Sequence, residues 1–178
     1  LARKFGLPIA DKKDSQGVCF IGEGNMADFL RDEIKTRRGE IKTSSGKKVG
    51  EHDGIELFTI GQRHGIGSPG GTVPYYVAEK NLETATLIVA EGSEDPILYK
   101  TEVNYQGANW LNPPAGGPFE CEARIRYRAP LAKCTVFLDV RRLGMGRVVF
   151  DKPQRAVAPG QSVVFYKEGQ LLGGGVIK

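Results

Sequence analysis

Apolar residues recur at two different periods along this chain, and the change from one to the other divides it. Met26, Phe29, Leu30 and Ile34 repeat at helical spacing over residues 26–35. Asn25 stands where an N-cap belongs and Asp28 lies three residues further on, so a short helix with a core-facing stripe is predicted, closed before Gly39. Residues 40–43 and 47–51 flank Ser44-Ser45-Gly46 as a first hairpin. Residues 50–71 are glycine-dense and loop-like, around a short predicted strand at 57–60. Residues 75–79 and 86–90 form a second hairpin, joined through 80–85. Neither hairpin holds enough apolar area to stand alone, so the helix is expected to cover them in one small α+β domain.

Beyond Asp95 the period becomes two. Residues 119–127, 133–140, 146–150, 161–166 and 170–177 alternate or run apolar between turn residues, and 98–106 adds a sixth strand. Short, evenly spaced strands without an intervening helix predict a small closed barrel or sandwich. The expected class is therefore mainly β with a small α+β part. The predicted division is 1–13 as the end of a preceding domain, 14–95 as the central domain and 96–178 as the barrel. The opening Leu1-Ala2-Arg3-Lys4-Phe5-Gly6-Leu7-Pro8 reads as a helix tail closed by Gly6 and stopped by Pro8, hence as a fragment starting inside a larger protein.

Composition narrows this picture without redrawing it. With 40% hydrophobic and 26% charged residues, the 178-residue chain is an ordinary folded one. No apolar run reaches the roughly 18 residues of a membrane span. The net charge of +4 says little, but its distribution says more. Nine basic residues and two acidic ones lie between Arg124 and Arg155, an excess expected of a surface that meets phosphates. Three cysteines with no CxxC pair argue against a disulfide framework or a zinc site, and for a reducing, cytoplasmic compartment; no metal is expected.

Period-two alternation sorts those thiols. Cys121 shares parity with Phe119, Ala123 and Ile125, and Cys134 with Val136 and Leu138, so both are expected to point into the core. Cys19 lies in a glycine-punctuated loop behind Lys12 and Lys13, a setting that can favour a thiolate. His52 and His64 read as hydrogen-bonding residues more readily than as bases. Arg124, Arg126 and Arg128 would share one face of a regular strand, with Tyr127 at its end. That set suits an RNA strand's phosphates and bases, or else a ladder paired with Glu120 and Glu122. No phosphate-binding loop for ATP is present, and Gly173-Gly174-Gly175 opens no helix.

The stretch Lys13-Asp14-Ser15-Gln16-Gly17-Val18-Cys19-Phe20-Ile21-Gly22 resembles the segment around the second catalytic cysteine of the bacterial tRNA 2-thiouridylases. This is the MnmA/TrmU family, whose older name is tRNA (5-methylaminomethyl-2-thiouridylate)-methyltransferase. Gly50-Glu51-His52-Asp53-Gly54, Thr59-Ile60-Gly61-Gln62-Arg63-His64-Gly65, Arg126-Tyr127-Arg128, Pro159-Gly160-Gln161 with Val164-Phe165-Tyr166, and Leu172-Gly173-Gly174-Gly175 agree in the same order. The resemblance implies a central domain and a C-terminal barrel similar to the second domain of elongation factor Tu. It also implies a further nucleotide-binding domain, not in this chain, that uses ATP with Mg; this chain would hold no cofactor. It implies that ATP adenylates C2–O of the wobble uridine in tRNAs for Lys, Glu and Gln. A sulfur-relay protein would supply sulfur to Cys19 as a persulfide, and this chain alone would be inactive. Arg126, Tyr127 and Gln161 would fall where the barrel touches tRNA, with Arg63, Arg124 and Arg128 as additional contacts. Without the resemblance, the barrel and its basic stretch would equally suit a non-catalytic RNA-binding module of a translation-type factor. Cys19 separates the two readings, because a binding module needs no persulfide.

Overall fold

A computed structural model describes residues 2–8, 10–11, 26–66, 73–111, 117–139, 141–142 and 144–178. The chain falls into two compact units, Leu1–Lys35 and Thr36–Lys178. In the first, Gly6 takes a left-handed φ of 62°. Its N–H donates to Arg3 O while that of Leu7 donates to Ala2 O, the paired bonds that close a helical turn at a glycine. Helix α1, Met26–Glu33, also belongs to this unit. It stops two residues short of the expected end, and Ile34, intended for its core stripe, is exposed. Helix α1 falls in the first unit and both hairpins in the second.

The second unit opens with β1 (Gly39–Thr43) and β2 (Lys48–His52), followed after a loop by β3 (Tyr75–Asn81) and β4 (Thr86–Glu91). Both predicted hairpins form. They join through a parallel pairing of β1 with β4, giving the order β2-β1-β4-β3. Ile41, Val77, Leu87 and Val89 bury one face together with Ile55 and Ile66. The strand expected at 57–60 does not exist; Ile55–Leu57 is a single 3-10 turn and Phe58 onwards is loop. The apolar run looked strand-like, but its inward residues belong to a tight turn under the sheet.

Six strands then close a barrel: β5 (Tyr99–Trp110), β6 (Phe119–Arg124), β7 (Ala132–Leu138), β8 (Gly146–Arg155), β9 (Ser162–Lys167) and β10 (Gln170–Ile177). Their order is β10-β5-β8-β7-β6-β9, antiparallel throughout. Closure removes every unpaired edge. Alternate residues fill the interior, among them Val103, Cys121, Ala123, Cys134, Val136, Val148, Phe150, Val163 and Phe165. Tyr105 lies across the middle, edge-on to Phe165 at 5.3 Å between centroids. It fits because Gly146 and Gly175 leave it room: a β-carbon on either would run into its ring or hydroxyl.

Several strands depart from the expected bounds: β5 runs four residues past 106 and β7 stops two short of 140. β8 continues five residues past Phe150, and on its β5 side the register jumps from Val149 to Gln154. Pro153, which cannot donate to a ladder, sits inside that jump. β6 ends at Arg124, three residues early. Sheet and barrel meet on a small cluster of Ala78, Ala90 and Leu98, and Arg155 lies over the Tyr76 ring at 4.8 Å. Among the described residues, no helix is long and apolar enough to cross a membrane.

Candidate nucleic-acid interface

The early end of β6 decides where the arginines go. Residues 125–128 leave the strand as a bend and turn, with Ile125 still in the barrel core, and Arg128 adopts φ of 62°. The three arginines therefore do not stand in a row on one strand face. Arg124 stays on the barrel, 5.8 Å from the Tyr166 ring centroid, with Nε buried and without a hydrogen-bond partner among the described residues. Tyr127 is 81% exposed, and the Arg128 guanidinium stacks over its ring at 5.2 Å.

Arg126 turns inward instead. Its Nη2 donates to Ile60 O at 3.0 Å and to Ala156 O at 2.8 Å. Ile60 belongs to the loop beneath the sheet and Ala156 to the turn after β8. Together with Gln161, at the entry to β9, Arg126 and residues 59–62 line an open cleft of about 380 Å³. Arg126 and Gln161, 35 residues apart in sequence, are thus brought to one cleft, with exposed Tyr127 adjacent to Arg126 in the chain. Arg63 is exposed on the same loop but is not among the residues lining the cleft.

The loop that forms one wall is pinned at alternate carbonyls. Lys80 Nζ donates to Phe58 O at 2.8 Å, Arg126 to Ile60 O, and Val77 N–H to Gln62 O at 2.9 Å. Burial lowers the Lys80 ammonium pKa from its usual value. The Gln62 amide is used inside the loop: Thr59 N–H donates to its Oε1 and its Nε2 donates to His64 O. Gly61 completes the wall at φ of 85°, where a β-carbon would stand 2.7 Å from Ala156 Cβ. The opposite wall is equally constrained. Ala156 is buried and left-handed at φ of 54°, and its N–H donates to Leu98 O at 2.6 Å.

The other candidate residues have structural roles or lie outside the described part. Cys19, with its flanking lysines, is outside the described residues. His52 is 5% exposed, and its Nε2 donates to Ala85 O at 3.0 Å; its Nδ1 is buried without a partner among the described residues. His64 is exposed on the loop. Cys121 and Cys134 both point inward as expected, and they face each other across β6 and β7 with Sγ atoms 3.7 Å apart. The neighbouring thiol and burial together push the Cys134 thiol pKa up, and both side chains are buried in the barrel core.

Sequence reasoning missed Ile60, Ala156 and Leu98, because they act through backbone groups that any side chain could carry. The one usable signal was Gly61 beside Gln62, in a segment with no hairpin to require a glycine.

Two family models match the chain: the tRNA methyl transferase PRC-barrel domain over residues 27–91 and the aminomethyltransferase beta-barrel domain over residues 100–177. The tRNA-specific 2-thiouridylase MnmA of Hahella chejuensis is 45% identical over an alignment covering all of this chain and 50% of that protein. Its namesake in Acinetobacter baylyi is 44% identical, covering 99% of this chain and 49% of that protein. That of Pseudomonas fluorescens is 45% identical, covering 100% and 48%. The chain spans about half the length of the curated relatives it matches. On these matches, which together run through both the sheet and the barrel, the chain belongs to the tRNA-specific 2-thiouridylase family.

Proposed function

We propose that this chain is the tRNA-engaging and sulfur-carrying part of a 2-thiouridylase acting on the wobble uridine of tRNAs for Lys, Glu and Gln. The single observation that carries the RNA reading is the cleft: Arg126, just past β6, and Gln161, just before β9, converge on it from 35 residues apart in the chain. Beside it stands a Tyr127 ring open to solvent and backed by Arg128. A splayed base can stack on such a ring while nearby cations hold its phosphates. The local basic excess would draw the polyanion in.

Cys19 is the proposed persulfide carrier. Its Sγ would hold sulfane sulfur received from a donor protein. The terminal sulfur would bond to C2 of the uridine as the ATP-activated oxygen leaves with AMP. A second thiol, on a cysteine outside this chain, would take Cys19 Sγ as a disulfide, breaking the S–S bond and supplying the two electrons that leave the sulfur on C2. The activating chemistry belongs to the half of the relatives outside this chain.

Titrating this chain with unmodified tRNA at several salt concentrations tests the reading. Binding should weaken linearly in log–log form as salt rises. Tyr127→Ala should cost about 5- to 100-fold in affinity, the range of one lost base stack, with little change in the salt slope. Wild-type affinity in both Tyr127→Ala and Gln161→Ala would overturn it. For the carrier role, Cys19→Ser in the longer protein should abolish thiolation while leaving tRNA affinity within about twofold, as expected of a group that reacts without anchoring.

A further inference from the structure

We infer that Arg126 governs RNA affinity as a positioning residue: its guanidinium fixes the spacing of the two cleft walls and does not read a phosphate. This deepens the RNA reading above and rests on it. The geometry is direct. Both protons of Nη2 are committed, one to Ile60 O at 3.0 Å and one to Ala156 O at 2.8 Å. Those carbonyls come from opposite walls, one from the loop under the four-stranded sheet and one from the turn that ends β8.

Each wall is rigid by itself. The loop is fastened to β3 through Gly61 N–H to Val77 O at 2.7 Å and Val77 N–H to Gln62 O at 2.9 Å. The barrel side is fastened through Ala156 N–H to Leu98 O. Arg126 is the side chain that hydrogen-bonds both walls. Gly61 admits it closely, since a β-carbon there would lie 3.2 Å from Nη2. A charged donor bridging two carbonyls in a partly buried seam makes strong bonds with fixed direction. The planar fork matters: an ammonium on a flexible stem is a point charge and cannot reproduce it. Gln161 lines the cleft beside this strut, so the distance at which an RNA strand meets it and Tyr127 follows from Arg126.

Charge and shape can be separated experimentally. Arg126→Lys keeps the charge and loses the fork; Arg126→Ala loses both. Each is measured for affinity to unmodified tRNA across a salt series, and for amide exchange at Gly61 in the RNA-free protein, with circular dichroism to confirm folding. A positioning role predicts that lysine fails to rescue. Both variants should lose about tenfold in affinity, the scale of one charge-assisted hydrogen bond, with the wild-type salt slope, and Gly61 exchange should quicken in both. A phosphate contact predicts the reverse: near-wild-type binding for lysine, and a slope lowered by about one unit for alanine. Either of those results overturns the inference. Unchanged Gly61 exchange overturns the strut whatever the RNA does. Absence of tRNA binding by the unsubstituted chain overturns the RNA reading and Arg126's part in it, while the exchange measurement still judges the strut separately.

Discussion

Gly61 shows how much one residue's backbone can decide. At φ of 85° an L side chain is strained, and its β-carbon would stand 2.7 Å from that of Ala156 across the seam. Both penalties act together, so Gly61→Ala should lower stability by about 1–3 kcal/mol, the combined scale of left-handed strain and overpacking. Urea denaturation would measure it. The same substitution at Gly160, also left-handed but with nothing within 4 Å, should show only the strain. A loss at Gly61 no larger than at Gly160 would mean the two walls yield to each other.

At the scale of elements, the β1–β2 hairpin carries a charge network with a defined acid response. Glu40 accepts from Lys42 at 2.8 Å and from Lys48 at 3.0 Å. Those hydrogen bonds hold its carboxyl at about 2, against an ordinary 4.5. A carboxylate with a depressed folded pKa contributes stability that is complete above its unfolded value. That contribution disappears as pH falls from about 4.5 towards about 2. Glu40→Gln should therefore flatten the acid side of the stability–pH curve within that window. Because the group is exposed, salt should shrink the difference. Identical curves for the two proteins would show the network to be energetically silent.

The strands were legible because alternation is a local property. Cys121 and Cys134 point inward as their parity requires, and the barrel follows from even spacing. What alternation does not carry is the point at which a strand stops. β6 ends at Arg124 although Ile125 remains buried and in phase, so the pattern runs on through a bend. The run at 57–60 misled for the same reason: apolar residues pack under the sheet from a 3-10 turn as readily as from a strand. The cleft itself was half legible. Arg126 stood out in the basic stretch and Gln161 only through the family resemblance, but the bonds that fix Arg126 go to carbonyls of Ile60 and Ala156, which leave no mark in the sequence.

For the molecule as a whole, sheet and barrel have separate cores joined by the cluster around Leu98. Leu98 is 2% exposed, and its carbonyl also receives the Ala156 N–H. Leu98→Ala should cost about 2–5 kcal/mol, and the cost should appear as lost cooperativity as well as lost stability. Scanning calorimetry should resolve two transitions where the parent shows one. A single, uniformly lowered transition would mean that the two cores unfold as one unit even without this cluster.

The order in which the barrel closes has a consequence for its synthesis. β10 pairs with β5 on one side and β9 on the other, so of the six staves the last in chain order is the one that makes the ring. Until residues 170–177 leave the ribosome, β5 and β9 each present an open edge of unpaired amides and carbonyls. At elongation rates of about 5–20 residues per second the nascent chain holds that state for on the order of a second after its other strands are made. Such edges are templates for pairing with a second chain. A chain cut short before Gln170 therefore keeps five of the six staves and two sticky sides, and is exposed to chaperones and proteases.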